Sequence, residues 1–152
     1  MSGHVDIVVT VRAPLDEVWA FSTDPSRWAR SGHPVQDFRT DGARSTFTVE
    51  MPLTVVDRTL RYRVERVADE AAKSVYSRQF DSPDLRYGHV LFLYTPTGVG
   101  TQLRYICDFE VMPSAPITDE QLVGELTRGM CRNLAATADR IEGRTTEGNT
   151  DV

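Results

Sequence analysis

Residues 101–111 carry apolar side chains at every second position, Leu103, Tyr105, Cys107, Phe109 and Val111, against Gln102, Arg104, Asp108 and Glu110 on the other face. A period of two with one apolar side is the pattern of a strand that covers a core with one face only. It recurs upstream, where Phe47, Val49 and Met51 alternate with Thr46, Thr48 and Glu50. Val56, Leu60, Tyr62 and Val64 then alternate with Asp57, Thr59, Arg61, Arg63 and Glu65. Further strands are expected over His4–Arg12, Ser74–Phe80 and Tyr87–Tyr94. One-sided alternation through successive strands means an antiparallel sheet with one face in water. The covered face needs a partner, and the chain offers one long candidate. Thr118, followed by Glu120 and Gln121, opens a helix of about seven turns that reaches Glu142. Leu122, Leu126, Met130, Leu134 and Ile141 form its apolar stripe. The expected fold is α+β, a curved antiparallel sheet around a long C-terminal helix. Large side chains cannot fill so concave a space, and an internal cavity follows.

Between the first strand and the rest, Pro14 suits the first turn of a short helix carrying Leu15, Val18, Trp19 and Phe21. Asp24-Pro25-Ser26 starts a second, with Trp28, which Gly32-His33-Pro34 ends. The 152 residues, 40% hydrophobic and 26% charged, suit one domain over residues 1–142, with a flexible polar tail over 143–152. The longest apolar run, Val90 to Tyr94, is far too short to span a membrane, and no secretory signal is visible. A cytoplasmic location is expected. The formal charge of −5 argues against a nucleic-acid partner, which needs a concentrated basic face. Cys107 and Cys131 are too few and too far apart for a zinc ribbon or a redox pair. Phosphate loops, nucleophile elbows and HExxH helices are missing too, so neither a metal nor an organic cofactor is expected.

Candidate functional residues are the polar groups on faces that ought to be apolar. Arg66 shares parity with Leu60, Tyr62 and Val64, which turns its guanidinium inward; Arg58 has the same parity near the strand's start. Arg78 sits between Tyr76 and Phe80 on what reads as the inner face of the next strand. Each of the three either enters the cavity or snorkels to water at a strand end. Asn133 lies beside the inward stripe, next to Met130, where a buried amide requires partners. His33 is in the loop where such folds open, and is either a site residue or a surface histidine. Trp28, Phe47, Tyr62, Tyr76, Phe92, Tyr105 and Phe109 are either plain core or the wall of a pocket for a planar, oxygenated ligand.

These residues also carry a resemblance. Ala13-Pro14-Leu15-Asp16-Glu17-Val18-Trp19, followed by Thr23-Asp24-Pro25-Ser26-Arg27-Trp28, looks like the opening of the single-domain polyketide aromatase/cyclases. Those are helix-grip proteins of the START/Bet v1-like superfamily, tetracenomycin and spore-pigment types included. Gly100 to Pro116 is similar to that family's GT-x-MRW-xx-(D/E)F-x-MKP-x-AP segment. The resemblance covers about residues 4–142. It implies aldol cyclisation and dehydration of a poly-β-ketone carried by an acyl carrier protein, with the polyketide as small-molecule substrate. It also implies that Arg66 is the essential inward arginine, Arg78 a second cavity arginine and Asn133 the helix asparagine. Tyr105 and Phe92 replace pocket tryptophans. The family's cavity tyrosine is missing, and Ser31-Gly32-His33-Pro34-Val35 occupies that stretch; Leu60 and Tyr62 replace paired tryptophans.

In such a reaction Arg66 would stabilise an oxyanion, since a group that stays protonated to above pH ~12 cannot be the base. Tyr62 or Tyr105 would relay a proton, and His33 has the ordinary pKa of a base. Two other readings remain open: a non-catalytic carrier of hydrophobic ligands, and a later-acting cyclase on a free intermediate. The oligomeric state is not legible.

Overall fold

The computed structural model describes residues 2–28 and 35–143, without the side chain of Trp28. The chain runs β1 (Gly3–Val11), α1 (Leu15–Thr23), α2 (Pro25–Trp28), β2 (Val35–Asp41), β3 (Arg44–Pro52) and β4 (Thr59–Asp69). It continues through β5 (Ser74–Phe80), β6 (Leu85–Thr97), β7 (Gly100–Val111) and α3 (Asp119–Ile141). The strands form one antiparallel sheet in the order β1-β7-β6-β5-β4-β3-β2. Six strands are therefore a meander, and the first returns to pair with the last. This is the helix-grip fold expected from the alternation.

Two boundaries moved. Val56 belongs to the β3–β4 loop, which is closed by Leu53 N–H donating to the Arg58 carbonyl and Arg58 N–H donating to the Val56 carbonyl. That loop leaves Arg58 exposed, away from the cavity. At its other end β4 extends to Asp69, so Arg66 stands within a paired strand, opposite Ser45 and Ser77.

Helix α3 covers the concave face because three polar ties hold it there. Thr118 and Gln121 form a reciprocal capping box at its start. Asp119 Oδ1 accepts the Val111 N–H at 2.9 Å, and at the far end Glu142 Oε2 accepts the Arg12 N–H at 2.7 Å. Between them, Glu125 Oε1 accepts the Thr54 amide at 2.6 Å, the Thr54 hydroxyl at 2.6 Å and the Val55 amide at 2.8 Å. Leu122, Leu134 and Ala138 are buried beneath the helix, which packs chiefly on β1. The strands farther along the sheet curve away from it, and the cavity lies in that gap.

The Glu125 tie has a pH signature. Partial desolvation pushes its carboxyl up, but the Thr54 hydroxyl, the Val55 and Thr54 amides and the Arg128 charge outweigh this and hold it below the ordinary glutamate range. A folded-state pKa below the unfolded one means stabilisation that is complete above the unfolded pKa and lost as pH falls through the folded one. Glu125→Ala is therefore expected to cost about 1 kcal/mol at neutral pH, because the tie is partly solvated, and to lower Tm by roughly 2–4 °C. In thermal melts the deficit should shrink below about pH 4; a deficit independent of pH would show that charge is not the cause.

Candidate functional site

Under the standing-off half of α3 lies a cavity of about 210 Å³. Cavities of roughly 150 Å³ hold benzene, so this one takes an aromatic ring with substituents. Its walls come from Val35 of β2 and the inner faces of β3 to β7, its floor from α1, and its roof from Met130, Asn133, Leu134 and Thr137 of α3. Among the described residues that line it, Arg66 is the one charged side chain.

Arg66 is held by the end of a helix. Its Nη2 donates to the Ser22 carbonyl at 2.8 Å. Ser22 lies in the last turn of α1, where carbonyls lack intrahelical partners and carry the negative end of the helix dipole. The cation thus satisfies an orphan acceptor while it lines the cavity. Burial pushes its pKa down, while the neighbouring Tyr94 oxygen works the other way. The group still remains a cation at neutral pH.

Of the residues singled out in the sequence, Tyr62, Arg66, Phe47, Phe92, Tyr105, Met130 and Asn133 all line this cavity. Tyr62 and Tyr105 are buried beside Cys107, and desolvation raises both phenols, well above the ordinary range for Tyr105. Such groups stay protonated at any working pH and can donate, but cannot act as resting bases. Phe92 and Tyr105 pack ring to ring at 5.3 Å across β6 and β7. Asn133 makes a long contact with the Met130 sulfur, at 3.9 Å. His33 lies outside the described residues, as does the side chain of Trp28.

Two expectations are corrected. Arg78 and Tyr76 lie on the outer, solvent face of β5, both exposed. The strand's inner face is Val75, Ser77 and Gln79, with Val75 fully buried. The aromatic residues misled because the outer face has a cluster of its own: Tyr76 stacks on His89 and hydrogen-bonds its Nδ1, and Tyr87 packs on the same ring. Arg78 lies over the Phe80 ring at 4.5 Å and pairs with Glu65 at 3.8 Å. Cross-strand pairing satisfies these groups without burial.

The structure adds polar groups that the sequence reading missed: Ser22, Ser77, Gln79, Tyr94 and Thr137. Tyr94 was within reach, since it shares parity with Phe92 on one strand. Ser77 and Gln79 required the phase of β5 to be set by Val75 instead of Tyr76. Nothing local marks Ser22, whose role depends on where α1 docks. Gln79 folds across Gly88, where an added Cβ would lie 2.0 Å from its Oε1.

The two cysteines differ in reach. Cys107 is buried, and desolvation raises its thiol to about 11; Cys131 is exposed on α3. A thiol reagent at pH 8 should titrate one cysteine in the native protein and two in denaturant. Rapid reaction of both in the native state would mean that the cavity wall opens readily.

A curved sheet gripping a helix over a ring-sized cavity with an inward cation is a helix-grip domain of the START/Bet v1-like fold. Its sequence matches, over residues 2–142, the family described as polyketide cyclase/dehydrase and lipid transport, and the chain belongs to that family. A Streptomyces cyaneus protein provisionally named a polyketide cyclase is 28% identical over 145 residues, 93% of this chain and 95% of that protein. The crystal structure of the Zhui aromatase/cyclase from a Streptomyces species superposes with a TM-score of 0.78 at 21% identity, covering 95% of this chain and 96% of that one. A START superfamily protein of Mycobacterium smegmatis gives 0.69 at 15% identity, over 93% and 99% of the two chains. At these identities the solved structures establish the fold alone. Among the described residues, no helix is long and apolar enough to cross a membrane.

Proposed function

We propose that this protein is an aromatase/cyclase that folds a poly-β-ketone, delivered by an acyl carrier protein, and closes and aromatises one ring by aldol addition and dehydration. The observation that carries the reading is Arg66, a cation in a ring-sized cavity whose other described lining residues are uncharged, Tyr62, Tyr94 and Tyr105 among them. A site meant only to hold a lipid chain has no need of a desolvated cation, whose burial costs free energy. An aldol step does need one, because negative charge grows on the attacked carbonyl oxygen.

A methylene between two carbonyls is already acidic, so a held water or a weak base suffices to remove its proton. No metal or organic cofactor is required by this chemistry. The cavity walls, Phe47, Phe92 and Tyr105 foremost, would choose the ring by holding one near-attack conformer. Asn133 and Gln79 would orient other carbonyls of the chain by donating to them. His33 stays a proposal as the base.

The test is reconstitution with a minimal polyketide synthase, with products compared by mass and NMR with and without this protein. Collapse of a spontaneous shunt mixture into one cyclised aromatic product is expected. An unchanged mixture, with carrier-bound chains verified, would overturn the reading in favour of a carrier or a later-acting enzyme.

A further inference from the structure

We infer that Tyr94 is a catalytic residue: the proton donor that works beside Arg66 on the attacked carbonyl oxygen. This rests on the cyclase reading and assigns one of its steps. Tyr94 is on the inner face of β6, buried, and lines the cavity. Its ring is fixed edge-on against Trp19, with centroids 5.3 Å apart at 88°, and Lys73 Nζ lies over the Trp19 ring, 5.2 Å from its centroid. Its own N–H donates to the Lys73 carbonyl at 3.1 Å. A ring so clamped presents its oxygen in one place.

That place is the cavity that Arg66 also lines. Helix α1 holds both groups: the Ser22 carbonyl accepts from Arg66, and Trp19, one turn earlier, packs on the Tyr94 ring. Trp19 and Ser22 are three residues apart, so one face of α1 sets both donors. Burial raises the phenol's pKa, against the opposing pulls of Ser22 and Arg66, so the proton is present at neutral pH. Tyr62 and Tyr105 are placed beside Cys107, and the Tyr105 ring packs on Phe92.

The step balances as follows. A carbon–carbon bond forms between the deprotonated methylene carbon and the ketone carbon, and the carbonyl π pair moves onto oxygen. That oxygen takes the Tyr94 proton, the O–H bond of the phenol breaking as the new one forms. The phenolate left behind is stabilised by the Arg66 cation. Solvent water carries back the proton that the methylene released, which restores the phenol. No electrons are gained or lost overall.

Tyr94→Phe keeps the ring against Trp19 and deletes only the donor. In the reconstituted synthase it should slow formation of the cyclised product about 100-fold or more. Binding of the fluorescent aromatic 1-anilinonaphthalene-8-sulfonate should stay within about twofold, with the melting profile retained. Wild-type turnover by Tyr94→Phe, with Arg66→Ala inactive, would overturn the assignment and leave the cyclase reading intact. A wild-type protein that itself changes no product would overturn both. If Tyr94→Phe fails to fold, 3,5-difluorotyrosine at position 94 serves instead, because it keeps the ring's shape while lowering the phenol's pKa. A shifted pH–rate profile of cyclisation with that variant supports the assignment, and an unchanged profile overturns it.

Discussion

Arg66→Ala is expected to reduce directed cyclisation by roughly 10²–10³-fold, with the product mixture reverting to that of the synthase alone. The reason is geometric. The guanidinium is anchored through Nη2 to the Ser22 carbonyl, so its charge is held in place before substrate arrives and needs no reorganisation as charge develops. Water can replace the lost donor at Ser22 in a cavity of about 210 Å³, so the fold should survive. Arg66→Lys should recover only part of the activity, because one ammonium group cannot hold the helix end and the substrate oxygen in a planar fork. Mass spectrometry of the products and thermal melting separate the two effects. A wild-type product ratio from folded Arg66→Ala would remove Arg66 from the mechanism.

Gly100→Ala is expected to be the most damaging small change to the fold, at about 3 kcal/mol or more, equivalent to a Tm fall of roughly 6–12 °C. Gly100 has φ +153°, outside the range L residues adopt readily. A Cβ there would stand 2.2 Å from the Val11 carbonyl and 2.9 Å from the Ala13 nitrogen. These are backbone atoms of the bend from β1 into α1, and they cannot swing aside. The next residue ties the same bend, as the buried Thr101 hydroxyl donates to the Ala13 carbonyl at 2.9 Å. Displacing this junction would move α1, and with it Ser22. Gly98→Ala, two residues away with open space around it, is the matched control and should be near neutral. Equal melting curves for the two variants would show that the junction yields more easily than its geometry indicates.

The resemblance to the polyketide aromatase/cyclases was legible in Ala13–Trp19 and Gly100–Pro116, and family membership bears it out. The site was legible where pattern and chemistry disagreed within a single strand. Arg66 stood out because three apolar residues of its own parity, Leu60, Tyr62 and Val64, set the phase of β4. On β5 the same reasoning failed. Tyr76 and Phe80 are as hydrophobic as any inner residue, yet they are satisfied on the outer face by His89 and Arg78. A short strand with aromatics on one face and Val75, Ser77 and Gln79 on the other does not declare its inside.

What the sequence by itself determined is the periodic part of the protein: the alternating strands, the capped helix from Thr118, and the parity that singled out Arg66. Periodicity is a local property, written every two or every 3.6 residues, and needs no knowledge of neighbours. What only the tertiary structure decided is which polar groups meet. Ser22, Arg66 and Tyr94 are far apart in the chain, on three different elements, and α1 brings them together by docking its last turn against the sheet. That docking depends on the curvature of the sheet and on the close approach at Gly100, both set by long-range packing. The fold could therefore be read residue by residue, but the partners of Arg66 became visible only once the chain had closed around the cavity.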